Sequence, residues 1–395
     1  MGEWRECKLG DIADVKGGKR LPKGELLTTE KTPHPYIRIT DFNGYKINLS
    51  NILYVNEEVQ KSISRYIVNK QDIILSIVGT IGLCAKVPDE LDNANLTENC
   101  IKLVFNKTKI DTSFLYYHLI SPDTQELIGG LDVGSTQPKL PIYNVQKINI
   151  SLPPLEEQKA IAEVLSSLDD KIDLLHRQNK TLEELAQTLF RQWFIEEAVD
   201  DWEVGILDEI LTVKGGTTPS TQNNEYWNGD ICWSTPKDLS TSSDMYLSDT
   251  ARKITKEGLA KIASGLLPVG TILLSSRAPV GYLAISDIPL AINQGYIAIL
   301  DNKDFSKYFI FLWLKLNMEY IISNANGSTF LEISKSVFKS LEIIKPPKEL
   351  REKFDEQVEA SFEKIKSNTR QIKTLENMRD TLLPKLMSGE VRVEI

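Results

Sequence analysis

Two stretches of the chain carry apolar residues in alternating steps of four and three. Ile161, Leu165, Leu168, Ile172, Leu175, Asn179, Leu182, Ala186, Leu189 and Trp193 follow this rhythm in the first. Phe354, Val358, Ser361, Ile365, Asn368, Ile372, Leu375, Arg379, Leu382 and Leu386 follow it in the second, with more polar interruptions. Such spacing turns a narrow stripe of a helix toward a partner helix. It predicts two long helices, Leu155 to Phe194 and Lys348 to Met387, each opened by a proline pair, Pro153-Pro154 and Pro346-Pro347, well placed at a helix start. At about 1.5 Å per residue each would run roughly 60 Å. Elsewhere the pattern is different. Short β-branched and aromatic runs such as Tyr36 to Ile39, Asp72 to Leu75 and Cys100 to Phe105 are punctuated by Gly, Pro and Asn, which predicts strands in a mixed α/β globule. Helical stretches at Ser113 to Ile120 and Ser306 to Leu316 sit inside these regions.

The chain repeats itself. Trp4, Leu9, Ile12, Val15, Lys16, Gly17 and Gly18 recur 198 residues later as Trp202, Leu207, Ile210, Val213, Lys214, Gly215 and Gly216. The run Ile73 to Ser76 matches Ile272 to Ser275, and Gly134-Ser135-Thr136 matches Gly327-Ser328-Thr329. In the helices the offset is 193, carrying Ile172, Gln178, Leu182 and Leu189 onto Ile365, Gln371, Leu375 and Leu382. Periodic self-similarity on this scale marks a duplicated structural unit. The resulting parse is a globule at 1–150, a helical spacer at 151–198, a second globule at 199–344, and a second spacer with a short tail at 345–395. Antiparallel pairing of the two helices would give a pseudo-twofold axis and present two inverted globules. Two inverted readers suit the local twofold symmetry of double-stranded DNA, and divergence between the copies predicts a bipartite, asymmetric target. Inserting four residues in each helix would lengthen such a spacer by about 6 Å.

Length and composition narrow the classes. At 395 residues, 41% hydrophobic and 26% charged, the chain is long enough for more than one core and is ordinary globular material. No run approaches 18 apolar residues, and the opening MGEWRECKLGD lacks the apolar segment of an export signal, so a cytoplasmic chain with no membrane span is expected. Cys7, Cys84, Cys100 and Cys232 are scattered, which fits reduced thiols, and His34, His118 and His176 have no metal-ligand spacing. No metal is assigned. Signatures for phosphate cradling, dinucleotide binding and base methylation are absent, and three scattered histidines without a nucleophile elbow argue against hydrolysis. No catalytic residue is assigned either. A net charge of −9 argues against a nonspecific DNA coat. The charge is uneven, however: residues 1–150 hold 18 basic and 18 acidic side chains, whereas 151–200 hold 5 and 11, so the first globule is near neutral.

Several motifs together carry a family resemblance: LPPLEEQKAIAEVLSSLDDKID, AQTLFRQWF, the paired openings W-x4-L-x2-I-x2-VKGG, SSRAPVGYLAI and the terminal LMSGEVRV. Over essentially its whole length the chain resembles the specificity subunits of type I restriction-modification enzymes. The resemblance implies an α+β fold in which two target-recognition domains alternate with two long helices paired as an antiparallel coiled coil. It also implies a non-catalytic subunit that selects the DNA sequence. Two modification subunits, which bind S-adenosylmethionine and methylate adenine, and restriction subunits, which hydrolyse ATP and cut, would be its partners. No cofactor is expected in this chain. Two other readings stay open, an independent two-headed DNA-binding regulator and a coiled-coil scaffold with no DNA role; the acidic balance favours the latter.

Candidate contact residues follow from chemistry. Lys16, Lys19, Arg20 and Lys23 cluster around a glycine-rich turn, and the matching Lys214, Thr217 and Thr218 offer charge and hydroxyls to phosphate oxygens. In SSRAPVGY, Arg277 stands at a strand mouth with Ser276 and Tyr282, and a guanidinium there can bind guanine or clamp a phosphate. Its counterpart in the first copy is Val78, flanked by Ser76 and Thr80, so the two loops cannot work identically. Ser135, Thr136, Gln137 and Lys139, with Ser328 and Thr329, are glycine-hinged polar candidates, and Arg38 and Lys237 complete the set. At the end of the first helix, Phe190, Trp193 and Phe194 crowd large aromatics into two turns, which predicts a docking face for a partner subunit. Packing against the following globule at Trp202 is the competing expectation.

Overall fold

The computed structural model describes residues 3–133, 138–240, 244–277, 279–300, 304–327 and 331–394. The chain divides into two compact units, one of residues 1–170 with 375–395 and the other of residues 171–374. Both boundaries fall inside the long helices, whereas the sequence parse separated helices from globules. Each unit therefore holds one globule, the first part of the helix that follows it, and the last part of the other long helix.

The helices run Leu155–Arg191 and Lys348–Ser388, the first closing in a wider turn of π type, Gln192–Glu196. In the first unit Asp169 meets Arg379, and Glu157 meets Arg392 beyond the helix end. In the second, Asn179 meets Asn368 and Phe190 meets Phe354. Rising numbers on one helix face falling numbers on the other, so the segments are antiparallel in each unit. Of the predicted seam, Ile161, Leu165, Ile172, Leu175, Phe354, Val358, Ile365 and Ile372 are buried, while Leu168, Leu182, Leu189, Leu375 and Leu382 are half-buried. A second buried row, with Ala162, Phe362, Thr369, Leu383 and Met387, escaped the heptad reading. It exists because each helical segment packs on a globule as well as on its partner helix, which widens the apolar face beyond a coiled-coil stripe.

In the first unit, strands Ala13–Gly17, Cys100–Phe105, Ile73–Ser76 and Cys84–Lys86 form an antiparallel sheet in that order. A second sheet orders Leu53–Tyr54, Pro35–Ile37, Ala94–Leu96 and Ile67–Val68, with its central pair parallel. Arg5–Lys8 pairs with Asn149–Leu152 as a separate ribbon. The second unit repeats the plan. Thr212–Lys214, Tyr296–Leu300, Ile272–Ser276, Val280–Ser286 and Tyr246–Leu247 make the first sheet; Arg252–Ile254, Trp227–Ser234 and Leu290–Ile292 make the second; Glu203–Ile206 pairs with Glu342–Lys345 as the ribbon. Ile73–Ser76 is buried at every position, which explains an uninterrupted apolar run where a half-exposed strand would alternate. The predicted strand at Tyr36 ends at Ile37, because Arg38 caps a tight turn through Asp41.

Local clamps are also duplicated. Asp111 caps helix Thr112–Ile120 by accepting from the Phe114 amide (2.9 Å), and Ser306 caps Lys307–Leu316 from Phe309 (3.1 Å). Gln158 donates to the Pro153 carbonyl at 2.9 Å, and Arg351, the matching residue, donates to Pro346 at 3.0 Å. The proline pairs are thus tied to the first turn of the helices they open.

Phe190 and Phe194 correct the docking expectation. Phe190 is 2% exposed and packs against Phe194, Phe309 and Phe354 at 5.0–5.7 Å between ring centres, while Phe194 also touches Trp202 at 6.4 Å. Trp193 is half-buried against Phe354. Burying aromatic area against the second globule is worth more than presenting it to water, so these side chains are core.

Candidate nucleic-acid interface

In each unit, hydrogen bonds gather four segments beyond the ends of the central strands of the main sheet. In the first, the turn after Ala13–Gly17 is fixed by the Gly18 amide donating to Cys100 (2.9 Å) and the Lys19 amide to Leu96 (2.8 Å). The Ile77 amide donates to the Asn99 carbonyl, the Leu140 amide to Ile77 and the Gly79 amide to Pro138, all at 2.8–2.9 Å. Segments 18–20, 76–83, 96–100 and 138–140 are thereby neighbours. In the second unit the Ser276 amide donates to Gly295 (2.8 Å), Ile333 donates to Ser276 (2.9 Å), Arg277 bridges to Glu332, and the Thr218 hydroxyl donates to Gln294 (2.7 Å).

The VKGG signature has a steric cause. A Cβ on Gly18 would lie 2.0 Å from the Thr97 carbonyl oxygen, and one on Gly216 would lie 1.8 Å from that of Ile292. Only glycine lets the turn approach the neighbouring segment this closely. The serine-led loops are shaped alike: Ser76 donates to Thr80 (2.6 Å) and accepts from the Leu83 amide (2.9 Å), as Ser275 donates to Pro279 (2.8 Å) and accepts from Tyr282 (2.7 Å).

These bonds sort the candidate residues. Ser76 and Ser276 are buried, and Ser76 has its hydroxyl committed to the loop; both hold the backbone in shape and present nothing to a ligand. Arg38 is likewise consumed, with its guanidinium on the buried Asp41 carboxylate and the Asn51 carbonyl. Thr217 donates to Lys261 and accepts from Ala263, which makes it a strut. Lys19, Arg20, Thr80 and Lys139 are exposed on the gathered segments; Lys16 is exposed on the strand entering the turn, and Lys23 is exposed beyond it. In the second unit Lys214, Thr218 and Lys237 are exposed, while Arg277 and Tyr282 are half-buried. The Lys214 ammonium donates to Ser264, and Lys237 lies on the short helix Pro236–Ser240, whose proline abuts Gly295. Ser135, Thr136, Gln137, Ser328 and Thr329 fall outside the described residues.

One element escaped the sequence reading. The tripeptides Thr97-Glu98-Asn99 and Asn293-Gln294-Gly295 sit centrally among the gathered loops in their units. Glu98 holds Arg20 at 2.6 Å, and Gln294 holds Thr218 at the matching place. Burial works to raise the Glu98 carboxyl, but hydrogen bonds from Arg20, its own backbone and Thr97 outweigh it and keep the group below the usual range. A usable signal was present, a polar tripeptide between two apolar strands recurring at an offset of 196. Lys335 was also missed, although its ammonium lies against the VKGG turn, 2.8 Å from where a Cβ on Gly215 would stand.

Comparison with known proteins decides the family. The family model described as type I restriction modification DNA specificity domain matches residues 1–184 and again 199–377. The chain belongs to this specificity family. The two matches coincide with the duplicated halves of the sequence. Among curated members, the type I restriction enzyme MjaIX specificity subunit of Methanocaldococcus jannaschii is 29% identical, over 99% of this chain and 94% of that protein. The HindI specificity subunit of Haemophilus influenzae is 24% identical over 99% and 100% of the two chains. The fold is that of the type I S subunit from M. genitalium, matched with a TM-score of 0.62 at 20% identity over 98% of this chain and 96% of that one. Within the specificity family, then, this chain carries two loop clusters of one design and different decoration.

Proposed function

We propose that this chain is the non-catalytic DNA-reading subunit of a type I restriction-modification system and that it recognises a bipartite, asymmetric sequence. The observation that carries the reading is the pairwise difference between equivalent loops on a shared backbone plan. Arg20 and Glu98 in the first unit stand where Thr218 and Gln294 stand in the second, and Val78 with Lys139 stands where Arg277 with Glu332 stands. Shared scaffolding with divergent side chains is the form expected of two readers with different half-sites, since base edges are discriminated by donor and acceptor pattern. The near-neutral charge of residues 1–150 supports weak phosphate attraction by this chain alone, with partner subunits supplying the remainder. Those partners are two modification subunits, carrying S-adenosylmethionine for adenine methylation, and ATP-hydrolysing restriction subunits. Among the described residues no helix is long and apolar enough to cross a membrane.

The test exchanges one pair between units. Arg20→Thr with Glu98→Gln, assembled with the modification subunits, is expected to change the methylated sequence in one half-site and leave the other intact. Methylome sequencing reads the outcome. An unchanged methylome, or tight sequence-specific binding by the isolated chain equal to that of the complex, would count against this reading in favour of a self-sufficient regulator.

A further inference from the structure

The helix seam holds four polar side chains that meet as two pairs. The Asn368 amide donates to Asn179 at 2.9 Å and lies 3.4 Å from Gln178, and Asn368 is 1% exposed. Its carbonyl oxygen is buried with no hydrogen-bond partner among the described residues. Asp169 accepts from Arg379 at 2.9 Å and from the Tyr117 hydroxyl at 2.6 Å, and both members of the ion pair are largely covered. Apolar residues at these places would avoid the desolvation that buried polar groups cost, and a buried pair is weak evidence for stability in itself.

The repeat shows what the pairs exclude. With the offset of 193, Asn179 corresponds to Ile372, Asn368 to Leu175, Asp169 to Phe362 and Arg379 to Ala186. Each of these four polar residues has an apolar counterpart in the other helix. The places are instead complementary across the antiparallel seam. If the first helix paired with a second copy of itself, Asn179 would face Leu175 and Asp169 would face Ala186. If the second helix did so, Asn368 would face Ile372 and Arg379 would face Phe362. Every one of the four would lose its partner, and two are charged. In the native pairing Asn meets Asn, Asp meets Arg, and Ala186 shares a core with Phe362. Two repeated helices with the same heptad pattern otherwise have little reason to prefer each other to themselves.

We propose that Asn179 with Asn368 and Asp169 with Arg379 form a pairing code by which each long helix selects the other and rejects a second copy of itself. The code keeps one N-terminal half matched to one C-terminal half, so that a chain presents one copy of each unit. It is independent of what the loops bind.

The experiment uses the full chain carrying a protease site in place of linker residues 197–201, folded intact and then nicked. Batches tagged differently on each half are mixed in enough urea to permit exchange, and isolation on one tag reports which halves travel together. Wild-type batches should exchange C-terminal halves freely, yet differently tagged N-terminal halves should not co-isolate. The reversed variant Asp169→Arg with Arg379→Asp should keep its own halves together but refuse exchange with wild type by roughly a hundredfold, the scale of breaking a buried pair. Replacing all four residues by their repeat counterparts (D169F, R379A, N179I, N368L) should release self-pairing to a statistical mixture. Free exchange between reversed and wild-type halves overturns the proposal, as does self-pairing of wild-type halves. The first two arms need only wild type and the charge reversal, so they decide the matter even if the fourfold variant does not fold.

Discussion

His118 offers a quantitative test of how the first unit is built. Its ring is 7% exposed, packed beside Phe114, with Nδ1 3.2 Å from the Thr124 hydroxyl and Nε2 accepting from the Ser151 amide at 3.4 Å. Burial depresses its pKa to about 4, against the smaller opposing effects of the Glu6 and Asp123 carboxylates. The hydrogen bonds agree: Nε2 must be unprotonated to accept from an amide, so the neutral ring is the folded form. In the unfolded chain the same ring titrates near 6.5. Between these values the unfolded state binds a proton that the folded state refuses. Stability present above pH 6.5 is therefore lost as pH falls, at about 1.4 kcal/mol per pH unit and roughly 3 kcal/mol by pH 4. Carboxylates contribute over part of that range, so the comparison is with His118→Phe, which keeps the ring and removes the titration. Amide exchange across strand Asn149–Leu152, followed by mass spectrometry from pH 7 to 4.5, should show wild-type protection falling about tenfold per pH unit relative to the variant. Equal slopes for the two proteins would refute the reasoning, because they would mean that the ring is protonated in place or is already wet.

Four further outcomes follow from the same structure. Gly18→Ala or Gly216→Ala should destabilise its own unit by about 2 kcal/mol or more in urea unfolding, because the clash is with backbone, whereas Gly17→Ala, with open space around it, should cost little. Phe190→Ala should cost about 3–5 kcal/mol of the second unit, since it removes a ring from the centre of an aromatic cluster; a folded variant that merely lost a partner would restore the docking role withdrawn above. Arg392→Ala strands the wholly buried Glu157 carboxylate and should lower the thermal midpoint of the first unit, with Glu157→Gln in the same chain recovering part of the loss. Lys19→Ala and Lys139→Ala should each weaken DNA binding by the assembled complex equally on all sequences and reduce the slope of log affinity against log salt by about 0.9.

The sequence by itself determined the duplication, the two long helices and the strands at the centre of each globule, whereas the antiparallel sense of the helix pairing was fixed by contacts such as Asp169 with Arg379 and Asn179 with Asn368. The features legible in the sequence are periodic properties: a heptad rhythm, an all-apolar run or a glycine that cannot be replaced leaves its mark locally, and a repeat shows each mark twice. Gly18 and Gly216 were legible as a signature, though not as a steric necessity. Which candidate side chains remain free was decided only in three dimensions. Arg38, Ser76 and Thr217 look like ligands for phosphate in a linear reading, yet Asp41, Thr80 and Lys261 had already claimed them through contacts that no spacing rule reveals. Phe190 and Phe194 were misjudged for the related reason that heptads describe one helix against one helix, whereas here each helix also serves as the floor of a globule. The tripeptides that carry Glu98 and Gln294 recur in the sequence, but their meeting with Arg20 and Thr218 was decided only once the backbone had brought distant segments together, since hydrogen bonding and burial depend on neighbours in space, which an order along the chain does not specify.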